Sequence, residues 1–116
     1  MWGHNSVSVV FPAYNEEKNI DAAISDFLKT GVVDELIVVD NNSTDRTAAI
    51  AKQKGAKVVK EEKQGYGFAL RAGIKVATGD LVILAEPDGT FEGKDILRLL
   101  PYSKNFDLVL GTRTNK

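Results

Sequence analysis

Four stretches of this chain place charged side chains directly behind a short apolar run. Residues 7–11 (VSVVF) lead into Pro12, Ala13, Tyr14, Asn15 and Glu16; residues 36–39 (LIVV) end at Asp40, followed by Asn41, Asn42 and Ser43. Residues 81–85 (LVILA) lead into Glu86, Pro87, Asp88 and Gly89, and residues 108–110 lead into Gly111, Thr112 and Arg113. Three of these loops carry acids and the fourth a base. Carboxylates are hard oxygen donors, and a small number of them suits Mg²⁺ or Mn²⁺ whose coordination is completed by phosphates and water. Acids gathered in one place also repel one another, a cost that a bound cation offsets.

Each feature has a plainer reading. Asp40 can cap the turn that follows it, because Asp, Asn and Ser are common turn formers. Glu86-Pro87-Asp88-Gly89 is a passable β-turn. Tyr14 can be a packing aromatic, Arg113 a solvated surface residue and the KEEK run at 60–63 a solvated stretch. His4 has no assigned role. Functional weight rests on the coincidence of several such signals at the ends of successive apolar runs.

The elements that would bring these loops together follow from hydrophobic spacing. Residues 7–11, 36–39, 57–60, 81–85 and 108–110 read as short buried strands. Between them the periodicity predicts helices. The first runs from about Glu16 to Lys29, capped by Asn15, with Ile20, Ala23, Ile24, Phe27 and Leu28 on one face and Gly31 ending it. The second starts at a cap on Ser43 or Thr44, runs to about Lys54 and is closed by Gly55. Two more are expected over about 66–77 and 96–100. About five strands alternating with four helices predict an α/β fold, a doubly wound and mainly parallel sheet, as a single domain over 1–116. Loops behind the C-terminal ends of such strands share one edge, where ligands bind at the topological switch point.

Composition narrows the function. At 116 residues and 43% hydrophobic content the chain can bury a core, and a net charge of −1 argues against nucleic-acid binding through a basic face. There is no cysteine, so disulfides, thiolate zinc sites and cysteine nucleophiles are excluded. No apolar run approaches the ~20 residues a membrane span needs, and residues 1–6 hold no signal-peptide core, so the chain reads as soluble and cytoplasmic. The first turn has no G-x-G-x-x-G and no Walker loop. A dinucleotide fingerprint is thus excluded, and charge neutralisation by metal near the fourth strand becomes the better route to a phosphate.

With these residues in view the chain resembles the family 2 glycosyltransferases, which have the GT-A fold. VSVVFPAYNEE at 7–17 looks like their opening, and LIVVDNNSTDRT at 36–47 is similar to their second motif, usually Asp-Asp-Gly-Ser-x-Asp. ALRAGI at 69–74 and ATGD at 77–80 resemble the approach to the metal strand. Glu86-Pro87-Asp88 stands where Asp-x-Asp is expected, and LGTR at 110–113 is similar to a Gly-Ser-Arg strand end. Asn41 in place of the second Asp and Glu86 in place of the first Asp of Asp-x-Asp are departures.

The resemblance implies a donor domain for a UDP- or GDP-linked sugar. Pro12, Ala13, Tyr14, Glu16, Asp40, Asn42, Glu86 and Pro87 would form the nucleotide pocket, Asp88 with Glu86 would hold Mg²⁺ or Mn²⁺, and Arg113 would face phosphate or sugar. It also implies an acceptor half that lies beyond Lys116 and supplies the general base, none being identified here. The acceptor is unknown, with lipid phosphate, polysaccharide and protein all open, and the site of action could be the cytoplasmic face of a membrane. The open edge of the last strand suggests a homodimer. Two alternatives stand beside this reading: a non-catalytic nucleotide-sugar-binding or assembly module, and a sugar nucleotidyltransferase, although the latter prefers a Gly-rich basic first loop.

Overall fold

The structure is a computed structural model that describes residues 1–88, 92–99 and 108–111. Five parallel strands, β1 (Val7–Ala13), β2 (Glu35–Asp40), β3 (Lys57–Lys60), β4 (Leu81–Ala85) and β5 (Leu108–Gly111), form one sheet in the order β3-β2-β1-β4-β5. The described helices are α1 (Ile20–Leu28), α2 (Thr47–Gln53), α3 (Tyr66–Val76) and α4 (Ile96–Leu99), the last preceded by a 3₁₀ turn at Gly93–Asp95. The expected α/β, doubly wound architecture is therefore the one observed.

β1 and β2 are apolar because both faces of the sheet are covered. Val7, Val9, Phe11, Leu36, Val38, Leu81 and Ile83 pack on one face with Ile20, Ile24 and Phe27 of α1, Ala51 of α2 and Ile96 of α4. Val10, Ile37, Val39 and Leu84 point the other way, against Ala69 of α3. Leu28, expected on the buried stripe of α1, is exposed instead. It is the last residue of the helix.

α3 sits close to the sheet because residue 73 has no side chain. A Cβ built on Gly73 would overlap Val10 Cγ1 and stand 3.0 Å from Val39 Cγ2, both in the middle of the sheet. Alanine has a helix propensity about 1 kcal/mol better than glycine, but overpacking a core costs about 1–3 kcal/mol. Gly73→Ala is therefore expected to lower stability by up to roughly 2 kcal/mol on balance. Equal or higher stability in urea denaturation would show that α3 can lift off the sheet at no cost.

The opposite end of the sheet is closed by polar contacts. Glu35 Oε1 accepts hydrogen bonds from the Ser8 hydroxyl (2.7 Å), the Thr78 N–H (2.9 Å) and the Thr78 hydroxyl (3.2 Å). Ser8 Oγ in turn accepts from the Gly79 N–H at 2.8 Å. Burial pushes the Glu35 carboxyl upward, but these donors and Lys57 outweigh it and hold the group below its ordinary range. Its stabilising contribution is thus present at neutral pH and lost as pH falls through that lowered value.

Two helix starts differ from expectation. α1 begins at Ile20, not near Glu16, and Asn15 does not cap it. Asn15 has φ 52° and its Oδ1 accepts the Thr44 N–H at 2.8 Å, while its own N–H donates to Ser43 Oγ at 2.9 Å. α2 begins at Thr47, whose N–H donates to Asp45 Oδ1 at 2.9 Å, so Ser43 and Thr44 are not its cap. The polar side chains that could have capped these helices lace the β1 and β2 loops to each other instead. Gly55, at φ 93°, ends α2 as expected, in a backbone conformation other residues rarely adopt.

Candidate functional site

The strand order sets where a site can form. From β1 the chain moves outward through β2 and β3, then crosses back to β4 on the other side of β1. The switch point therefore lies between β1 and β4, and a crevice opens beyond their C-terminal ends. Val10 pairs with Leu84, so Pro12 and Glu86, two residues further along each strand, arrive at the same height.

Two cavities adjoin there. One, of about 310 Å³, is lined by Pro12, Tyr14, Glu16, Tyr66, Glu86, Pro87 and Asp88. The other, of about 170 Å³, is lined by Pro12, Ala13, Tyr14, Asn41, Gln64, Gly65, Tyr66 and Ala69. Pro12, Tyr14 and Tyr66 belong to both, so they form a shared partition between an acidic compartment and one made of amides and aromatic rings. Tyr14 is 53% exposed and Tyr66 47% exposed, which leaves ring surface available for a planar ligand to stack on.

Of the sequence-predicted residues, the structure brings Pro12, Ala13, Tyr14, Glu16, Glu86, Pro87 and Asp88 together at this crevice. Asp40 and Asn42 line neither cavity. Asp40 is buried at the end of β2 and its Oδ1 accepts the Ser43 N–H at 2.9 Å, the turn-capping geometry. The Asn42 side chain donates to Glu62 O and Gln64 Oε1, both at 2.9 Å. Arg113 and Gly89 lie outside the described residues. Sequence reasoning missed Tyr66, Gln64 and Gly65. The only signal was the Gly-Tyr-Gly run at the start of the third helix, which reads equally well as a loop.

Electrostatics mark the larger cavity as acidic. Burial raises the Glu16 carboxyl above its ordinary range, the Asn19 side chain pulls the other way, and Asp88, Glu86 and Asp45 push it further up. Burial, then Glu86 and Asp88, also raise the Tyr66 phenol, so it stays protonated and able to donate. Among the described residues no three His, Cys, Asp or Glu side chains form a metal cage on their own. One or two carboxylates facing a cavity wide enough for a diphosphate is the donor set expected of Mg²⁺ or Mn²⁺ shared with a ligand. The residues present therefore fit such an ion.

The raised Glu16 gives a pH prediction. Native protein binds more protons than unfolded protein between the ordinary carboxyl value of 4.5 and the raised one, so stability falls as pH rises through that interval. Glu16→Gln removes the repelled charge. Without ligand at pH 7 it should melt higher by roughly 1–2 °C, a small effect because water screens this partly exposed group. Below pH 4 the difference should vanish. A Glu16→Gln variant that melts lower than wild type at pH 7 would contradict the repulsion.

Among the described residues no helix is long and apolar enough to cross a membrane. Comparison with known proteins gives consistent matches. The chain is 40% identical over 110 residues to an uncharacterized glycosyltransferase of Mycobacterium tuberculosis (strain ATCC 25618 / H37Rv), across 94% of this chain and 49% of that protein. It therefore spans about half the length of that relative. Glucosyl-3-phosphoglycerate synthase from Mycobacterium tuberculosis, crystallised with phosphoglyceric acid, superposes with a TM-score of 0.78 at 32% identity, over 89% of this chain and 41% of that one. The same enzyme crystallised with Mn²⁺, uridine diphosphate and glucosyl-3-phosphoglycerate gives 0.67 at 35% identity, over 72% of this chain and 34% of that one. The family described as Glycosyl transferase family 2 matches residues 8–116, and with the GT-A sheet and its acidic switch-point crevice this chain belongs to that family.

Proposed function

We propose that the crevice binds a nucleotide diphospho-sugar, UDP-linked in the first instance, together with Mn²⁺ or Mg²⁺, as the donor half of a sugar transfer. The observation that carries this reading is the pair of joined cavities, one acidic and one aromatic and amide-lined, on either side of Pro12, Tyr14 and Tyr66. A nucleotide diphosphate has that same division into a flat base and a charged tail. The solved relative that holds uridine diphosphate with Mn²⁺ supports the assignment.

In this reading Ala13, Tyr14, Gln64 and Gly65 surround the base, with Asp40 and Asn42 shaping the loops behind them. Asp88 and Glu86 hold the cation, and Glu16 faces them across the cavity. Arg113, two residues past the end of β5, meets phosphate or sugar. The ion, when bound, neutralises charge that develops on the leaving diphosphate. The protein's own part is to hold that diphosphate beside the two carboxylates and to keep Tyr66 protonated as a donor at the same wall. The transfer acts in the cytoplasm, with a lipid phosphate or polysaccharide acceptor, and copies of the chain pair through β5, the edge strand of the described sheet.

The test is titration calorimetry of the chain with UDP and GDP, with and without Mn²⁺, followed by incubation of a labelled UDP-sugar with lipid phosphate, oligosaccharide and phosphoglycerate acceptors. Binding of UDP that needs Mn²⁺ is expected. Absence of binding to either nucleotide under both conditions would overturn the reading. Binding without transfer to any acceptor would restrict the chain to a nucleotide-sugar-binding module.

A further inference from the structure

We propose that Asn41 is the positioning residue of the smaller cavity: its amide fastens the 61–65 loop to the end of β2 and so fixes the wall formed by Gln64, Gly65 and Tyr66. The consequence for ligand binding rests on the nucleotide reading above, whereas the clamp itself does not.

Asn41 is 4% exposed, and both ends of its side chain are fully used. Its Nδ2 donates to Glu61 O at 2.8 Å and to Lys63 O at 2.9 Å. Its Oδ1 accepts from the Gly65 N–H at 2.9 Å and from Gln64 Nε2 at 3.4 Å. Its backbone N–H donates to Ala13 O at 2.9 Å, so one residue ties the end of β1 to the loop across the cavity. The orientation of the amide follows from its partners, because the reverse would set its oxygen against two carbonyls. None of this leaves the Asn41 side chain a group with which to read a base.

Asn42 reinforces the clamp from the next position. In extended backbone, successive side chains point to opposite sides. At φ 69° the chain turns, and the Asn42 amide reaches the same loop at Glu62 O and Gln64 Oε1. Between them the two residues hold three successive carbonyls, at 61, 62 and 63, immediately before the residues that line the cavity.

The chemistry demands an amide. Two carbonyls need two N–H donors and the Gly65 N–H needs an acceptor, a combination Asn supplies at this length and Asp does not. An Asp at 41 would set a carboxylate against Glu61 O and Lys63 O. The surrounding charges are Asp40 on β2 and Glu61 and Lys63 on the loop. Glu61 is held by the Lys63 N–H at 2.9 Å. The like charge of Asp40 and Glu61 would favour the protonated form of such an Asp.

Three measurements on the full chain test this: hydrogen exchange of the 61–65 amides without ligand, UDP affinity with Mn²⁺ at pH 7.5 and near pH 5, and thermal melting. Asn41→Asp should speed exchange across the loop at least ~10-fold and weaken UDP at least ~10-fold at pH 7.5. The affinity deficit relative to wild type should narrow near pH 5, where the acid gains a proton to donate. Asn42→Gly keeps the backbone turn and deletes the second amide. It should weaken UDP by roughly 3-fold, with no pH dependence beyond that of wild type. If Asn41→Asp fails to fold, Asn42→Gly alone decides. Unchanged loop exchange in the folded variants, or faster exchange with wild-type UDP affinity and no pH-dependent recovery, would overturn the proposal. A wild-type chain that binds no UDP would remove the nucleotide reading, while the exchange result would still decide the clamp.

Discussion

Asp88→Ala is expected to weaken Mn²⁺-dependent UDP binding by at least ~100-fold, close to the level seen with EDTA, and to leave the fold unchanged. Magnesium- and manganese-type sites built from one or two protein carboxylates plus ligand oxygens lose much of their affinity when one carboxylate goes, and 100-fold corresponds to about 2.7 kcal/mol. The fold should survive because Asp88 is exposed and stands three residues past the end of β4. Asp88→Asn separates charge from packing. It keeps the shape and removes the neighbour that, after burial, does most to hold Glu16 high, against the lowering bond from Asn19. Removing a like charge favours ionisation, so the Glu16 carboxyl should titrate lower in Asp88→Asn than in wild type, observable by NMR without any ligand. Glu86→Gln should act in the same direction, more weakly. A wild-type UDP affinity in Asp88→Ala would end the metal assignment even if Glu16 shifts as expected, because the titration reports only that the two acids share a cavity.

The fold was legible because its strands are buried on both faces. Residues 7–11 and 36–39 have no polar alternation except Ser8, and continuous apolar runs broken by helical periodicity leave little but a covered parallel sheet. Acids at the ends of those runs were legible for the same reason: once the strands are parallel, Glu16, Glu86 and Asp88 must share an edge. What sequence did not reveal was how polar loop residues would be partitioned. Asn15, Ser43 and Thr44 are good helix caps by type, yet each bonds a neighbouring loop, because loops that converge at the switch point offer partners as close as a helix end does. Asn41 illustrates the same limit. Against the Asp-Asp-Gly pattern it reads as a change of ligand contact, whereas its amide is engaged with Glu61 O, Lys63 O and the Gly65 N–H. Tyr66 escaped notice because its importance depends on where α3 begins relative to β1, which no local pattern encodes.

The largest effect on stability should come from Phe27→Ala. Phe27 is fully buried on α1, and its ring meets Phe11 of β1 edge-on, with centroids 4.8 Å apart and planes at 86°. Such pairs contribute about 0.5–1.5 kcal/mol beyond the area they bury, and Phe→Ala in a core costs about 3–5 kcal/mol in all. Against a typical domain stability of about 5–15 kcal/mol, that is enough to lower the melting temperature by roughly 10–25 °C. The loss should reach the site as well. Phe11 is followed directly by Pro12, and β1 delivers Pro12, Ala13 and Tyr14 to both cavities. A Phe11 ring that loses its partner no longer fixes the strand end against α1. UDP affinity in Phe27→Ala should therefore fall even at temperatures where the protein is fully folded. Phe27→Leu keeps apolar volume but not the edge-on contact, and should cost about 1–2 kcal/mol. A double-mutant cycle of Phe11→Leu with Phe27→Leu isolates the ring pair, with an expected coupling of about 0.5–1.5 kcal/mol. Zero coupling would mean that burial alone, without the ring geometry, holds α1 to β1. Full UDP affinity in folded Phe27→Ala would mean that the β1 loop is positioned by its bonds to Ser43 and Thr44 and owes nothing to the core beneath it.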